Sequence, residues 1–412
     1  MKNTKHIIII VLIGVLLLPK MTFAIDANGE DIEDATGLND ISELQPNATK
    51  SESHTDLGRA RTRAYVLIDG TQASGSNDDR VHFPNGQFSF SGDYKIQNNS
   101  FVLMDFFVNY DAKNKVGTQF LNQAGFRSRV SDNVQYFIGK ERNRRSPGLI
   151  VSPSDFIYSN TNLPGQREDR RGVWLGRMSY QVISGSADVF VLPVQSETPE
   201  GLPQSKQNYT EGAVRGMYQF NGFDLSLMVG RYLGISRVGV SAQTLLANKY
   251  KIYLEQGTQN KVTIYNNTLK DQPSQTLLGF GYEGSEDFSL RVEYFQNGQG
   301  LNSDEFNQMM RLRSLFPNQF ANTASAVSPF IRQKYLISSL SFPELKKKFN
   351  VTVSGIKCLE DDSVLGLTRL EYIAGDKALV GLSYTQLQGG TGSQFQYRNF
   401  NSQTTLDFKY SF

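Results

Sequence analysis

Cysteine is almost absent from this sequence: Cys358 stands alone among 412 residues, so no intramolecular disulfide can brace the fold. Histidine is nearly as scarce, with three in the chain, at positions 6, 54 and 82. A His/Cys metal cluster cannot be assembled from that inventory, and neither a metal nor a cofactor is expected. No glycine-rich loop runs into Lys-Ser or Lys-Thr, so a phosphate cradle is missing too. His82 lies near Asp78 and Asp79, and such a pair can polarise a water molecule. An Asp and a His in a polar stretch ordinarily do no more than solvate it, so the chain is read as no enzyme. Beyond residue 18 there is also no long apolar run. A membrane helix needs about 20 consecutive apolar residues, which excludes one from the rest of the chain.

What the chain does have begins at its N-terminus. Lys2 and Lys5 precede an apolar run from Ile7 to Leu18, and Ala24 closes the following short stretch. A charged start, a short apolar middle and a small residue to cut after are the parts of a secretory signal peptide. Residues 1–24 are therefore expected to be removed near Ala24, and Ile25 in place of Cys argues against a lipoprotein. Residues 25–56 hold nine acids against a single lysine and show no alternation. They read as a solvated acidic leader on the periplasmic side, although Leu38, Ile41 and Leu44 would share one short helical face. The formal charge of the whole chain is +2, so the body from 57 to 412 is mildly basic.

That body is dominated by period two, the mark of strands with two unlike faces. Phe223, Leu225, Leu227 and Val229 alternate with Asp224, Ser226 and Gly230; Phe288, Leu290, Val292 and Tyr294 alternate with Ser289, Arg291 and Glu293. Aromatic residues close many of these runs, as Tyr110, Tyr294, Tyr372 and Tyr384 do. About eighteen such segments can be laid out between 63 and 412. The fallback is sixteen, because Lys261–Asn266 reads either as a strand or as part of a loop. The long connections fall near 70–85, 142–169, 195–210, 258–273, 298–331 and 388–402, each after an odd-numbered segment. Short turns follow the even ones, among them Asn221-Gly222, a favoured two-residue hairpin turn. Long loops at one end and short turns at the other describe an all-β, antiparallel up-and-down barrel that crosses a membrane. A soluble sandwich would show the same alternation, and a propeller would add a blade-length repeat, which is not seen.

The end of the chain separates these architectures. Leu406, Phe408, Tyr410 and Phe412 alternate with Thr405, Asp407, Lys409 and Ser411, and the final residue is aromatic. In this the sequence resembles Gram-negative outer-membrane porin-like β-barrels, whose last strand ends in that way. The resemblance implies that Leu406, Phe408, Tyr410 and Phe412 are read by the barrel assembly machinery. It also implies an outer-membrane location among lipid, passive diffusion of small hydrophilic solutes, and a homotrimer as one possible assembly. A leader of this length is too short for the folded plug of an energy-coupled transporter. The alternative from another class is a non-conducting surface protein, an adhesin or structural barrel whose long loops bind a partner while the lumen is filled. Bulky inward residues such as Phe107, Leu365 and Leu367 would suit it.

Phase then assigns the charged side chains. Arg127, Arg129, Arg142, Arg144, Arg145, Arg167, Arg170, Arg171 and Arg177 crowd into about fifty residues. An Arg or Lys on the lipid face near the midplane costs roughly 2–4 kcal/mol, so the strand positions among them belong to the lumen. The candidate inner wall comprises Lys115, Arg127, Arg129, Arg171, Arg177, Arg215, Arg291, Glu293, Arg369 and Glu371, with Lys409 beside them. Asp105, Asp224, Glu255 and Asp407 share that wall, and a transverse field between basic and acidic patches would orient polar solutes. Rings of Arg favour anions, while a mixed lining that pairs with itself is the blander expectation. Gly279 and Gly281 read as small inner-face residues. The 142–169 loop carries Leu149-Ile150-Val151 and Phe156-Ile157-Tyr158, too apolar to stand free in solvent, and is expected to fold into the channel. Phe306, Met309, Met310, Leu312, Leu315 and Phe316 have near-helical spacing, which predicts a helix over the mouth.

Overall fold

The structure, a computed structural model, describes residues 60–411 apart from 75–78, 98–99, 112–115, 143–145, 159–171, 194–209, 233, 265–267, 286–287, 316–329, 346–347, 376–377, 391 and 398–400. The signal segment and the acidic leader lie outside the described residues.

Alternating sequence becomes strand. The strands are β1 (Ala60–Ser74), β2 (Asp79–Gln97), β3 (Ser100–Asp111), β4 (Val116–Arg129), β5 (Val134–Glu141), β6 (Val173–Val182) and β7 (Gly185–Pro193). They continue with β8 (Thr210–Phe220), β9 (Phe223–Tyr232), β10 (Ile235–Leu246), β11 (Tyr250–Gln259), β12 (Lys261–Ile264), β13 (Thr268–Asp271) and β14 (Ser274–Ser285). Then come β15 (Phe288–Asn297), β16 (Lys334–Leu345), β17 (Phe349–Cys358), β18 (Val364–Ala374), β19 (Ala378–Gln388) and β20 (Ser402–Ser411). Eighteen of them form one sheet, while β12 and β13 make a separate two-stranded hairpin. That hairpin bears on the ambiguous 261–266 stretch: Lys261–Ile264 is strand, but outside the eighteen-stranded sheet, and residues 265–266 lie outside the described residues.

Every sheet strand pairs antiparallel with the next in sequence, with β11 passing directly to β14. The ladder returns to its start, because β1 also pairs with β20, from Tyr65 opposite Ser411 to Ser74 opposite Ser402. Such a ladder leaves no row of unpaired N–H and C=O groups, which hydrocarbon could not satisfy. Connections after even-numbered strands are short. Asn221-Gly222 joins β8 to β9 with both residues at positive φ, 48° and 81°, the geometry an Asn-Gly turn supplies at low cost. The long connections follow β5, β7, β11, β15 and β19. One expected loop is corrected: β1 and β2 run on through most of 70–85, with Thr71 opposite His82, so His82 is a strand residue. Continuing the hairpin pairs backbone groups that a free loop would leave to solvent.

The outward face is apolar. On β9, Leu225, Leu227 and Val229 are exposed, and on β11 so are Ile252 and Leu254. Leu406, Phe408 and Tyr410 of the last strand are exposed on the same side, while Phe412 lies outside the described residues. At the short-turn end the exterior rings meet one another: Tyr250 and Tyr282 at 5.5 Å, Tyr282 and Phe288 at 4.8 Å, Phe288 and Phe342 at 6.2 Å, and Phe349 and Tyr372 at 5.3 Å. Tyr and Phe gather at that level because one end of the ring zone is hydrocarbon and the other is wet.

The helix predicted in the long 298–333 connection is present as α1 (Ser303–Leu315). Its start is a reciprocal cap: the Glu305 N–H donates to Asn302 Oδ1, and the Asn302 N–H donates to the Glu305 carboxylate. Two otherwise orphaned donors are satisfied in this way. Phe306 and Met309 then bury one face of the helix against Leu301 and Ile331.

Candidate permeation pathway

Burial along β11 alternates without exception, so Lys251, Tyr253, Glu255, Gly257 and Gln259 share the inner face. The same phase sets Arg177 and Ser179 inward from β6, Arg215 from β8, and Arg291, Glu293 and Phe295 from β15. Gly279 and Gly281 are also buried on the inner face.

The 142–172 connection enters this interior, and its described segment, 146–158, is almost wholly buried. Glu255 receives five hydrogen bonds from it. Ser146 Oγ (3.0 Å) and the Gly148 N–H (2.7 Å) donate to Oε1; Ser152 Oγ (3.1 Å), the Ser154 N–H (3.2 Å) and Ser154 Oγ (2.6 Å) donate to Oε2. Glu293 accepts from the Leu149 N–H and from the Tyr253 hydroxyl. Hydrogen bonds to a charged acceptor are worth roughly 1.5–3 kcal/mol each, about twice a neutral one. The apolar residues of the segment pack against wall residues. Ile150 and Val151 join Tyr253, Leu277 and Phe295, while Phe156 and Ile157 join Phe137, Leu175, Phe190 and Met228. Glycine makes the approach possible: a Cβ on Gly257 would stand 2.0 Å from the Pro153 carbonyl oxygen, and one on Gly239 2.2 Å from that of Ser154.

Farther along, the segment meets a chain of buried ion pairs. Arg177 donates from Nη2 to Glu141 at 2.6 Å and from Nη1 to Ser179 at 2.9 Å, and its Nη1 lies 3.7 Å from Asp188. Arg215 donates to Asp188 at 2.8 Å and to Asp155 of the inserted segment at 3.4 Å. The Tyr158 hydroxyl closes the series on Glu141 at 3.0 Å. Across the lumen, Arg369 holds Asp407 with two bonds of 2.8 and 2.9 Å and Glu371 with one of 2.7 Å, while Arg291 holds Glu283 at 2.6 Å. The expected separation into basic and acidic patches is thus replaced by interleaving. Low dielectric makes an unpaired interior charge costly, so Arg177, Arg215 and Arg369 each sit between two acids.

Arg177 and Arg215 are consequently unavailable to a solute. Arg127 and Arg142 differ: their side chains are 28% and 33% exposed, and each lies 3.9 Å from its acid, Glu141 and Asp105 respectively. Arg129 is exposed near the β4–β5 turn. Lys115 and Arg171 lie outside the described residues. Sequence reasoning placed Glu255 on the inner wall but missed its role. Glu141, and the bond to it from the Tyr158 hydroxyl, escaped it as well, since no local pattern marks a carboxylate that a distant loop will cover.

At the long-loop end, a second group of loop residues packs on the inner wall. Phe330 stacks edge-on to Phe295 and Tyr335, and Phe395, from the 3-10 turn Gln394–Tyr397, is buried beside Ile356, Leu365, Leu367 and Leu387. The Tyr335 hydroxyl donates to Gln394 Oε1 at 2.6 Å, and the Gln394 N–H donates to Asp361 at 2.8 Å. Burial works against the charge on Asp361, yet bonds from Ser363 and Gln394 hold its carboxyl below the usual range.

Neither a family model nor a curated protein sequence matches this chain. Solved structures do. Pseudomonas aeruginosa OccK2 (OpdF), in complex with glucuronate, superposes with a TM-score of 0.55 at 12% identity, over 86% of this chain and 98% of that one. Pseudomonas aeruginosa OccK8 (OprE) gives 0.55 at 9% identity, over 87% and 99%. Acinetobacter baumannii OccAB1 gives 0.54 at 10%, over 88% and 99%. The fold is that of an outer-membrane porin-like barrel. At such identities the likeness is one of architecture, and the chemistry of the porin-like interior must be argued from this chain's own residues.

Proposed function

We propose that this chain is a passive channel of the Gram-negative outer membrane, admitting small hydrophilic solutes with a preference for anions. The observation that carries this reading is the unequal exposure of opposite charges between β4 and β6. Arg127 and Arg142 keep 28% and 33% of their side chains accessible, while the acids they face, Glu141 and Asp105, keep 1% and 16%. A solute in that part of the lumen meets guanidinium groups, which can grip a carboxylate or phosphate with two parallel bonds. The glucuronate bound to one structural neighbour is an anion of that kind and supports the reading. Lumen width would set the size limit and the exposed charge the sign. Lys115, Arg129 and Arg171 are proposed as further cations of the passage, and barrel insertion through the terminal strand and trimer formation as its assembly.

The apolar packing of Phe330 and Phe395 on the inner wall favours a second reading, a filled, non-conducting surface protein whose long loops bind a partner. Planar-bilayer recording under a salt gradient decides between them. Discrete steps with an anion-selective zero-current potential are expected, and Arg127→Ala with Arg142→Ala should move that potential toward zero. Silence from demonstrably folded protein would favour the surface role instead.

A further inference from the structure

We propose that the inserted segment sets the sign of the passage by covering two wall carboxylates, Glu255 and Glu293, so that permeating ions meet Arg127 and Arg142 instead. This rests on the reading of the protein as a conducting pore.

Both carboxylates are fully buried, with 0% exposure. What covers Glu255 is the segment itself: among the described residues its five hydrogen bonds come from Ser146, Gly148, Ser152 and Ser154. Glu293 is covered in part by the segment, through the Leu149 N–H, and in part by the Tyr253 hydroxyl of the wall, while Ile150 and Val151 join the apolar cluster of Tyr253 and Phe295. Each donor directs the positive end of its dipole at the carboxylate, which weakens the field reaching an ion beyond the segment. Distance and salt weaken it further, since the screening length at physiological ionic strength is about 8 Å. Contact charges therefore dominate selection.

The same two strands carry cations on the inner face, Arg291 one inner position from Glu293 on β15 and Lys251 two from Glu255 on β11. Arg291 is already tied to Glu283 at 2.6 Å. Without the segment, the wall from β11 to β15 would present Glu255 and Glu293 to the solution together with Glu283. Its local balance would turn acidic. The serines at 146, 152 and 154 thus have a purpose beyond fixing a loop: they form a pocket of donors around a carboxylate that an open lumen would display.

The test compares zero-current potential and conductance of four proteins in planar bilayers with potassium chloride gradients. These are the intact chain, a variant with Ser146–Tyr158 replaced by a short Gly-Ser linker, that variant carrying Glu255→Gln and Glu293→Gln, and the intact loop carrying Ser152→Ala and Ser154→Ala. The loop replacement should conduct more and shift selectivity toward cations several-fold in permeability ratio. Neutralising both glutamates in that background should restore anion preference while the larger conductance remains. If the replacement fails to fold, the double serine variant stands in for it. It removes two donors to Glu255 and should shift selectivity the same way by less. Larger currents with unchanged selectivity, or a shift that persists after both glutamates are neutralised, would overturn the proposal while leaving the pore intact. An intact chain that folds but never conducts would overturn both.

Discussion

Two parts of this barrel bring loop residues against the inner wall, and beyond the apolar packing they share they rely on different ties. The 146–158 segment is tied by carboxylates and guanidinium groups: Glu255 and Glu293 on one side, Glu141 and Arg215 on the other. The long-loop mouth is tied by rings and aliphatic groups, with Phe330 and Phe395 set among Phe295, Tyr335, Ile356 and Leu365. Directional, charge-assisted bonds fix a segment in one place and fail as a unit when a partner is lost. Apolar contacts are less selective about geometry, and losing one leaves its neighbours free to settle. The polar site therefore suits an element that must hold an aperture, and the apolar site one that must seal an edge.

The sharpest way to break the comparison is Arg177→Ala. It would leave Glu141 and Asp188, both buried, without the cation that lies 2.6 and 3.7 Å from them. Removing one partner of a buried ion pair costs about 3–5 kcal/mol, mostly as the penalty of the charge left behind. Urea titration of the detergent-folded barrel should register that loss. A neutral outcome would mean that water reaches the pair and that the interior is more open than its burial implies.

The apolar site should yield less. Phe395→Ala removes a ring that is 1% exposed. Burial lost from a core phenylalanine costs about 3–5 kcal/mol, toward the lower end where the surroundings can relax. Because Phe395 sits on a short turn between β19 and β20, the effect should appear as early protease cleavage within 389–401, with the barrel transition little moved. Equal shifts in the global transition for Arg177→Ala and Phe395→Ala would erase the contrast between the two regions.

The wall was largely legible in the sequence because a strand writes its two faces at every second residue. The alternation in Phe223–Arg231 and in the terminal Leu406–Tyr410 run is the same alternation that the structure shows as exposed against partly or fully covered. Loop parity was legible for a related reason: the hairpin turns are short enough to carry their own signal, as Asn221-Gly222 does. The destination of the inserted segment was not. Its apolar residues announced that it packs on something, but the donors that reach Glu255 lie 101 to 109 residues away from it. The extension of β1 and β2 through residue 82 was hidden as well, because that overrun carries Asp, Gly, Gln and Asn in place of an apolar face.

The smallest expected effect sharpens the comparison from within the apolar site, at a carboxylate set beside its rings. Asp361 lies between β17 and β18, accepts from Ser363 twice and from the Gln394 N–H, and so anchors the turn that carries Phe395. Its carboxyl is held below the usual range, so the folded state binds its proton less readily than the unfolded chain does. The stability this adds is present above the unfolded value, about pH 3.9, and is lost as pH falls through the lower folded value. Protease sensitivity of 389–401 should therefore be flat from neutral pH to about pH 4 and rise below it. In Asp361→Asn the group no longer titrates, so cleavage should be slightly faster at neutral pH and the acid-dependent rise should shrink. A rise of equal size in both proteins would assign the acid response to another group and leave the turn anchored by its apolar contacts alone.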